Sequence, residues 1–239
     1  MVRRLLAGTA VCLAVFQTTA ALAQVGHLPE NSPYKDMRIK QALVFYGGVM
    51  SGGEGNAGVG PTNGPVGGVR WEIAVGAPSI LFLGLSMANL ERPLVNPDDP
   101  PDTRFFGSTS QRIVILDAGL NFVLTGRKTW RGLAPYLGVG FGMAFGGPVP
   151  EDFLSGYTFK TKFHVDPTIG IRFHPSPRFY FKIEGRAIFW RLNYPEGFLC
   201  DPEEDPLCTD PLLNLLIQTD TDWTVHPTLL FGIGYTLRR

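Results

Sequence analysis

Bulky apolar side chains recur at every second position through eight separate stretches of this chain, and the positions between them carry glycine, small polar or charged residues. A repeat of two is that of a β-strand with two different faces, and helical spacing fits these stretches poorly. The pattern predicts strands over Arg38–Met50, Gly67–Gly76, Ile80–Leu90, Gln111–Leu124, Leu133–Phe145, Phe159–Phe173, Phe179–Arg191 and Trp223–Leu237. Connections alternate in length. "GAPS", "TGRKTW" and "HPSPR" are hairpin-sized, whereas those near 51–66, 91–110, 146–158 and 192–222 are long. This rhythm describes an antiparallel up-and-down meander with short turns at one end, and an even strand number lets it close with both termini at that end.

Alternation alone does not say which face is inside. A soluble barrel turns its apolar set inward, while a membrane-spanning one turns it to lipid. The small residues decide. In "LAPYLGVGFGMAFGG", Leu137, Val139, Phe141, Met143 and Phe145 oppose Gly138, Gly140, Gly142 and Ala144. Glycine repeated on a water-facing strand surface would add unfolded-state entropy and lose packing, whereas in a narrow lumen it leaves room for long side chains from other strands. Such side chains occur in the same phase: Arg70, Glu72, Asp117, Asn121, Lys160, Lys162, His164, Asp166, Arg172, Lys182, Glu184, Arg186 and His226. They are expected to form a polar lumen network of alternating charge. A turn centred on Ser176 would put Asp166 opposite Arg186 and Thr168 opposite Glu184. The expected fold is an all-β, eight-stranded antiparallel up-and-down transmembrane β-barrel. Long loops of 12–15 residues or more are unusual in a compact domain but ordinary on the outer side of such a barrel. Tyr46, Trp71, Trp130, Tyr136, Trp190, Tyr194, Trp223 and Tyr235 fall near predicted strand ends and suit interfacial girdles.

The first 23 residues change the context. Arg3 and Arg4 precede an apolar run from Leu5 to Phe16, and Ala21-Leu22-Ala23 offers a small-residue cleavage site, so 1–23 reads as a cleaved signal peptide and 24–37 as a periplasmic leader before a barrel over 38–239. The chain has 239 residues with 21 basic and 21 acidic side chains, which gives no global reason to expect nucleic acid as a partner. Its 44% hydrophobic content is too high for a disordered chain. In an exported protein the close pair Cys200 and Cys208 favours a small disulfide loop.

The stretch "APYLGVGFGMAFGG" and the closing "PTLLFGIGYTLRR" resemble the small outer-membrane β-barrel proteins, the broad class that includes the OmpA-like transmembrane domain and the OmpW-like barrels. The resemblance covers about Arg38 to Arg239. It implies residence in a bacterial outer membrane with termini in the periplasm, contact with outer-membrane lipids and lipopolysaccharide, and insertion by the outer-membrane assembly machinery. Members typically end in a strand with a final aromatic residue. Here Leu237, Arg238 and Arg239 follow the last aromatic, Tyr235.

Candidate chemistry is sparse. No dinucleotide or Walker-type spacing occurs, and no cofactor is implied. Asp201, Glu203, Glu204, Asp205 and Asp210 in the last long loop are weak candidates for a diffuse divalent-cation site, without the ligand order of a calcium-binding loop. "PLLNLLIQ", in the same loop, reads as a cap at the barrel mouth. His164 and His226 have acids nearby but no serine in phase beside them, which disfavours a lipid hydrolase. The leading expectation is a non-enzymatic barrel serving envelope integrity or surface interaction through its long loops. The alternatives are a narrow channel for ions or small apolar solutes, a lipid-modifying enzyme, and a secreted soluble ligand-binding barrel.

Overall fold

The computed structural model describes residues 32–37, 39–97, 99, 103–199 and 220–238. Contacts divide the chain into residues 1–34 and residues 35–239; the account below concerns the second unit. Strands run over β1 (Tyr34–Asp36), β2 (Gln41–Met50), β3 (Gly64–Ala74), β4 (Ser79–Val95), β5 (Phe105–Val123), β6 (Lys128–Trp130), β7 (Leu133–Gly146), β8 (Lys160–Phe173), β9 (Phe179–Asn193) and β10 (Thr221–Arg238). Eight of them pair in the cyclic order β7-β5-β4-β3-β2-β10-β9-β8, and β8 returns to β7. The sheet is therefore a closed ring of antiparallel strands, all-β, with no free edge along its main ladders. Among the described residues no helix is long and apolar enough to cross a membrane.

The predicted strands are present, with shifted ends. The stretch near 91–110, read as a loop, is largely paired: Glu91 faces Ser110, Arg92 faces Thr109 and Leu94 faces Gly107. Its serines, threonines and prolines resemble loop composition, yet they complete a hairpin ladder beyond the apolar part of the strands. The β8–β9 register also differs by two from the expected one, since Thr168 faces Arg186 and Gly170 faces Glu184. The turn is centred on Pro177, with the Phe179 N–H donating to Ser176 Oγ at 3.1 Å. A slip of two keeps every side chain on its face, so the sorting of charged from apolar positions is unaffected.

That sorting puts the bulky residues outside. Leu137, Val139 and Phe141 are 47%, 46% and 56% exposed, while Lys162 on the neighbouring strand is 6% exposed. An apolar belt surrounds the ring. Toward the long loops it gives way to exposed Asn89, Glu91, Ser110, Arg112, Arg191 and Asn193, and toward the short turns to Lys40, Arg127, Arg131 and Arg178. Of the aromatic residues expected at the rims, Trp71, Trp130, Trp223 and Tyr235 are exposed, but Tyr136, Trp190 and Tyr194 are buried. Tyr136 and Trp190 share the inward phase of their strands, which strand-end position alone does not reveal.

The interior glycines stand opposite bulk. Gly84 faces Asp117, Gly138 faces Asn121, Gly140 faces Asp166, Gly170 faces Tyr136 and Gly234 faces Tyr180. A Cβ on Gly84 would lie 1.8 Å from Asp117 Oδ1, and one on Gly140 would lie 2.5 Å from Asp166 Oδ1. Each glycine thus vacates the volume its cross-strand neighbour occupies, which is how a narrow ring holds so many long polar side chains. We expect Gly84→Ala to destabilise the protein by roughly 1–3 kcal/mol through overpacking. The outward Gly185, where a Cβ would meet Ile169 alone, at 3.7 Å from Cγ2 and 3.9 Å from the carbonyl oxygen, should tolerate alanine or gain about 0.4–1 kcal/mol. Equilibrium urea unfolding followed by tryptophan fluorescence compares the two.

Candidate functional site

Inside the ring, β3 contributes Arg70 and Glu72, β5 contributes Asp117, β8 contributes Asp166 and Arg172, and β9 contributes Lys182, Glu184 and Arg186; all are buried. Alternation on each strand aims them at one axis, and the glycines opposite admit them. Glu184 is the hub. Its carboxylate accepts from Arg70 Nη1 at 3.0 Å, Lys182 Nζ at 2.6 Å, Arg186 Nη2 at 3.0 Å and Tyr136 Oη at 2.7 Å. Glu72 forms an ion pair with Arg172 Nη2 at 3.1 Å and accepts from Lys182 Nζ at 3.0 Å and Tyr180 Oη at 2.7 Å. Asp117 takes Arg186 Nη1 at 2.6 Å, and Asp166 lies 3.4 Å from Arg186 Nε and 3.5 Å from His164 Nδ1. Arg70 also stacks over Phe82, 4.3 Å from the ring centre.

Four carboxylates meet four cations, so the lattice is neutral in sum. Buried charges are tolerated on that condition. A metal ion would have to displace a guanidinium or ammonium group already in place. Between Tyr46, Arg70, Lys182 and Glu184 there is only about 10 Å³ of free space, barely enough for one water.

Apolar packing lies on both sides of this layer. Toward the short turns, Ile80, Val123, Ala134 and Tyr136 pack with Met37, and Ala42, Val44 and Tyr180 pack with Ile39. At this end the Met37 N–H donates to the Arg127 carbonyl at 2.7 Å, and clefts of about 560 and 500 Å³ open beside Met37 and Ile39. Tyr136 and Tyr180 serve both layers, with rings in the apolar caps and hydroxyls on the carboxylates. Toward the long loops a larger cluster includes Met50, Leu90, Ile113, Trp190 and Leu192 from strands and Val59, Tyr157, Phe159 and Phe198 from the connections.

Buried Arg92 ties that upper layer together. Its Nε donates to the Val59 carbonyl at 3.0 Å, Nη2 reaches Asp152 and the Tyr157 carbonyl at 3.3 Å, and its guanidinium stacks on the Tyr157 ring at 4.5 Å. One side chain thereby holds the connections 51–63 and 147–159 over the ring. On the other side the Asn56 N–H donates to Asp222 at 3.1 Å, and Tyr194, whose phenol burial pushes up to about 12, remains a donor toward the same carboxylate.

The structure does not gather all thirteen sequence candidates. Lys160 is exposed: as the first residue of β8 it has φ +57, which breaks the alternation that would have turned it inward. Lys162 is buried apart from the lattice and donates to Asn193 Oδ1 at 2.6 Å. Asn121 faces the interior beside Gly138. His226 lies 4.2 Å from Trp190 in the upper layer and shares a 3.0 Å hydrogen bond with Thr224. Cys200, Cys208 and the acids Asp201, Glu203, Glu204, Asp205 and Asp210 lie outside the described residues, as does "PLLNLLIQ". Phase alone could have added Tyr180 to the lattice; Arg92 was missed because its segment reads as loop.

This fold resembles that of known small outer-membrane β-barrel proteins. Among solved structures, Neisserial surface protein A aligns with 86% of this chain and 98% of its own at 10% identity and a TM-score of 0.47. Outer membrane protein AlkL aligns over 90% and 97% at 12% identity and a TM-score of 0.47. OprG from Pseudomonas aeruginosa aligns over 84% and 98% at 9% identity and a TM-score of 0.43. Neither a family model nor a curated relative matches the chain. Likeness at this level carries no argument about activity, which has to come from the interior and the belt.

Two substitutions probe the site. Glu184→Leu leaves Arg70, Lys182 and Arg186 in excess of their counter-charges and should cost about 3–5 kcal/mol, read by the same urea titration. Arg92→Ala should leave the ring folded but release its cover: limited proteolysis is expected to cut within 51–63 and 147–159 at least tenfold faster, with the strands still protected.

Proposed function

We propose that the chain is an eight-stranded outer-membrane β-barrel whose role is structural: it strengthens the envelope or presents its long loops to surface partners, without catalysing a reaction. The observation that carries this reading is the inverted sorting of the ring, bulky apolar residues outside and a neutral charge lattice inside. Water would not stabilise such an outer surface; hydrocarbon does. Along β5 and the residue that follows it, the outward apolar positions run from Val114 to Leu124, and ten steps of about 3.3 Å tilted by roughly 35–45° give a belt about 23–27 Å tall, the height of an outer-membrane core. In this reading residues 1–23 are a signal peptide removed on export, 24–37 a periplasmic leader, the short turns periplasmic, and the loops extracellular, facing lipopolysaccharide. Insertion then requires the outer-membrane assembly machinery.

The packed interior favours a structural role over a channel. A passing ion would have to break the Glu184 cluster and cross two apolar layers. The enzymatic alternative is disfavoured because His164 and His226 are enclosed within the ring, away from any lipid substrate. We expect the folded protein to be electrically silent in planar bilayers at 100 mV, and to stay with the membrane fraction until detergent is added. Discrete single-channel openings that disappear in Arg92→Ala and Glu184→Gln would favour transport instead, and quantitative release by osmotic shock would favour a soluble barrel.

A further inference from the structure

The short-turn end of the ring is strongly basic although the whole chain is neutral. Lys35, Lys40, Arg127, Lys128, Arg131 and Arg178 are exposed there, against one exposed acid, Asp36. Among the described residues none of these six side chains is in an ion pair. The opposite end carries Glu54, Glu91, Asp99, Glu151, Glu196 and Asp220 exposed, against the exposed cations Arg112, Lys160 and Arg191. Charge so divided along the axis is a feature of the surface that the interior lattice does not explain.

A second observation lies directly beside the basic end. On the outer face of β7, β8 and β9 an open apolar trough of about 340 Å³ runs between Leu137, Ile169 and Ile183, and reaches Leu124, Pro135 and Ile171. Gly185, an outward position without a side chain, lines it beside Ile169 and Ile183. The register orders it along the axis. Ile169 pairs with both Leu137 and Gly185; one step toward the turns Ile171 pairs with Pro135 and Ile183; one further, Phe173 pairs with Leu133 and Phe181. Beyond that row come the two turns that carry Arg127, Lys128 and Arg131 on one side and Arg178 on the other, joined where the His174 N–H donates to the Gly132 carbonyl at 2.8 Å. Trp130 lies at the same level, with the Arg131 guanidinium 5.4 Å from its ring centre.

We infer that this face binds one anionic phospholipid of the membrane leaflet at the short-turn end, with an acyl chain in the trough over Gly185 and the phosphate among Arg131, Lys128 and Arg178. The inference rests on the membrane reading above. Its chemistry is that of an amphiphile: one apolar row, Leu133, Phe173 and Phe181, separates the trough from the cations, so one molecule with an apolar tail and a charged head spans both. A soluble phosphate would use only the cations, and a neutral lipid only the trough. Basic residues beside an anionic leaflet each contribute roughly a fivefold gain in lipid binding, and the trough converts that diffuse attraction into a single site.

The test reconstitutes the full protein into phosphatidylcholine vesicles containing a minor fraction of brominated phosphatidylglycerol or, in parallel, brominated phosphatidylcholine. Quenching assigned to Trp130 is obtained by difference with Trp130→Phe. We expect at least fivefold preferential quenching by phosphatidylglycerol, falling to near unity in Lys128→Glu/Arg131→Glu. Filling the trough with Gly185→Leu should reduce Trp130 quenching to the level of bulk lipid with the same fold retained. Soluble glycerophosphoglycerol should not compete. Equal quenching by the two lipids in correctly inserted protein, an unchanged Gly185→Leu, or full displacement by glycerophosphoglycerol would each overturn the site while leaving the barrel reading intact. Failure of the wild-type protein to enter vesicles, read from heat-modifiable gel mobility, would remove the membrane reading and the lipid site together.

Discussion

The structure depends on cancelling charge inside a narrow ring filled by its own side chains. Glu72, Asp117, Asp166 and Glu184 come from four different strands, and Arg70, Arg172, Lys182 and Arg186 from three; only Glu184 has cationic partners on its own strand, Lys182 and Arg186. Arg70 on β3 reaches Glu184 on β9, and Arg186 on β9 reaches Asp117 on β5. These contacts cross the ring rather than follow the ladder, so they can form only when all the strands have closed to one circumference. The lattice therefore selects a closed ring of this size, and its stabilisation is spent on specificity as much as on strength.

Layering follows from the same constraint. Charges concentrated at mid-height need a low-dielectric boundary on both sides, otherwise water would compete for every pair. Tyr136 and Tyr180 make that boundary at one end, each with a hydroxyl on a carboxylate and a ring among aliphatic side chains. At the other end the wall changes character along each strand. Asp117 is followed toward the loops by Ile115 and Ile113, and Arg186 by Ile188 and Trp190. The long connections complete that layer by contributing Val59, Tyr157 and Phe198, which links what the loops can present to how they are packed beneath.

Much of this was legible in the sequence because period-two alternation survives any register. Leu137, Val139 and Phe141 had to share a face whatever their partners, and glycine opposite them pointed to a crowded lumen. What was not legible depended on pairing between strands. The β8–β9 slip of two was invisible because both registers place Arg186 inward. Arg92 was hidden by the composition around it: Glu91, Pro93 and the serines of β5 look like loop, yet they are the polar continuation of strands beyond their apolar segment. Lys160 failed for a local reason, a left-handed φ at the first residue of its strand, which alternation assumes away. Interior apolar residues such as Ile113 and Leu192 were absorbed into the expectation that the inward phase is polar throughout.

One seam of the ring shows how side chains and backbone share the work. The β8–β9 pairing skips Asp166 and Pro167, resuming at Thr168 with Arg186. Opposite the gap, Ala187 is paired on its other side with Pro227 of β10. A proline supplies no N–H to a ladder, so Ala187 lies between two strands that each lack a donor at this level. The ion pair of Asp166 with Arg186 bridges β8 and β9 at that height, and Arg186 continues to Asp117 and Glu184. Where the ladder is weakest, the lattice crosses it. Closure in this ring is thus not a property of backbone hydrogen bonds alone, and Arg186, which contacts three carboxylates, joins the interrupted pair of strands to the opposite wall.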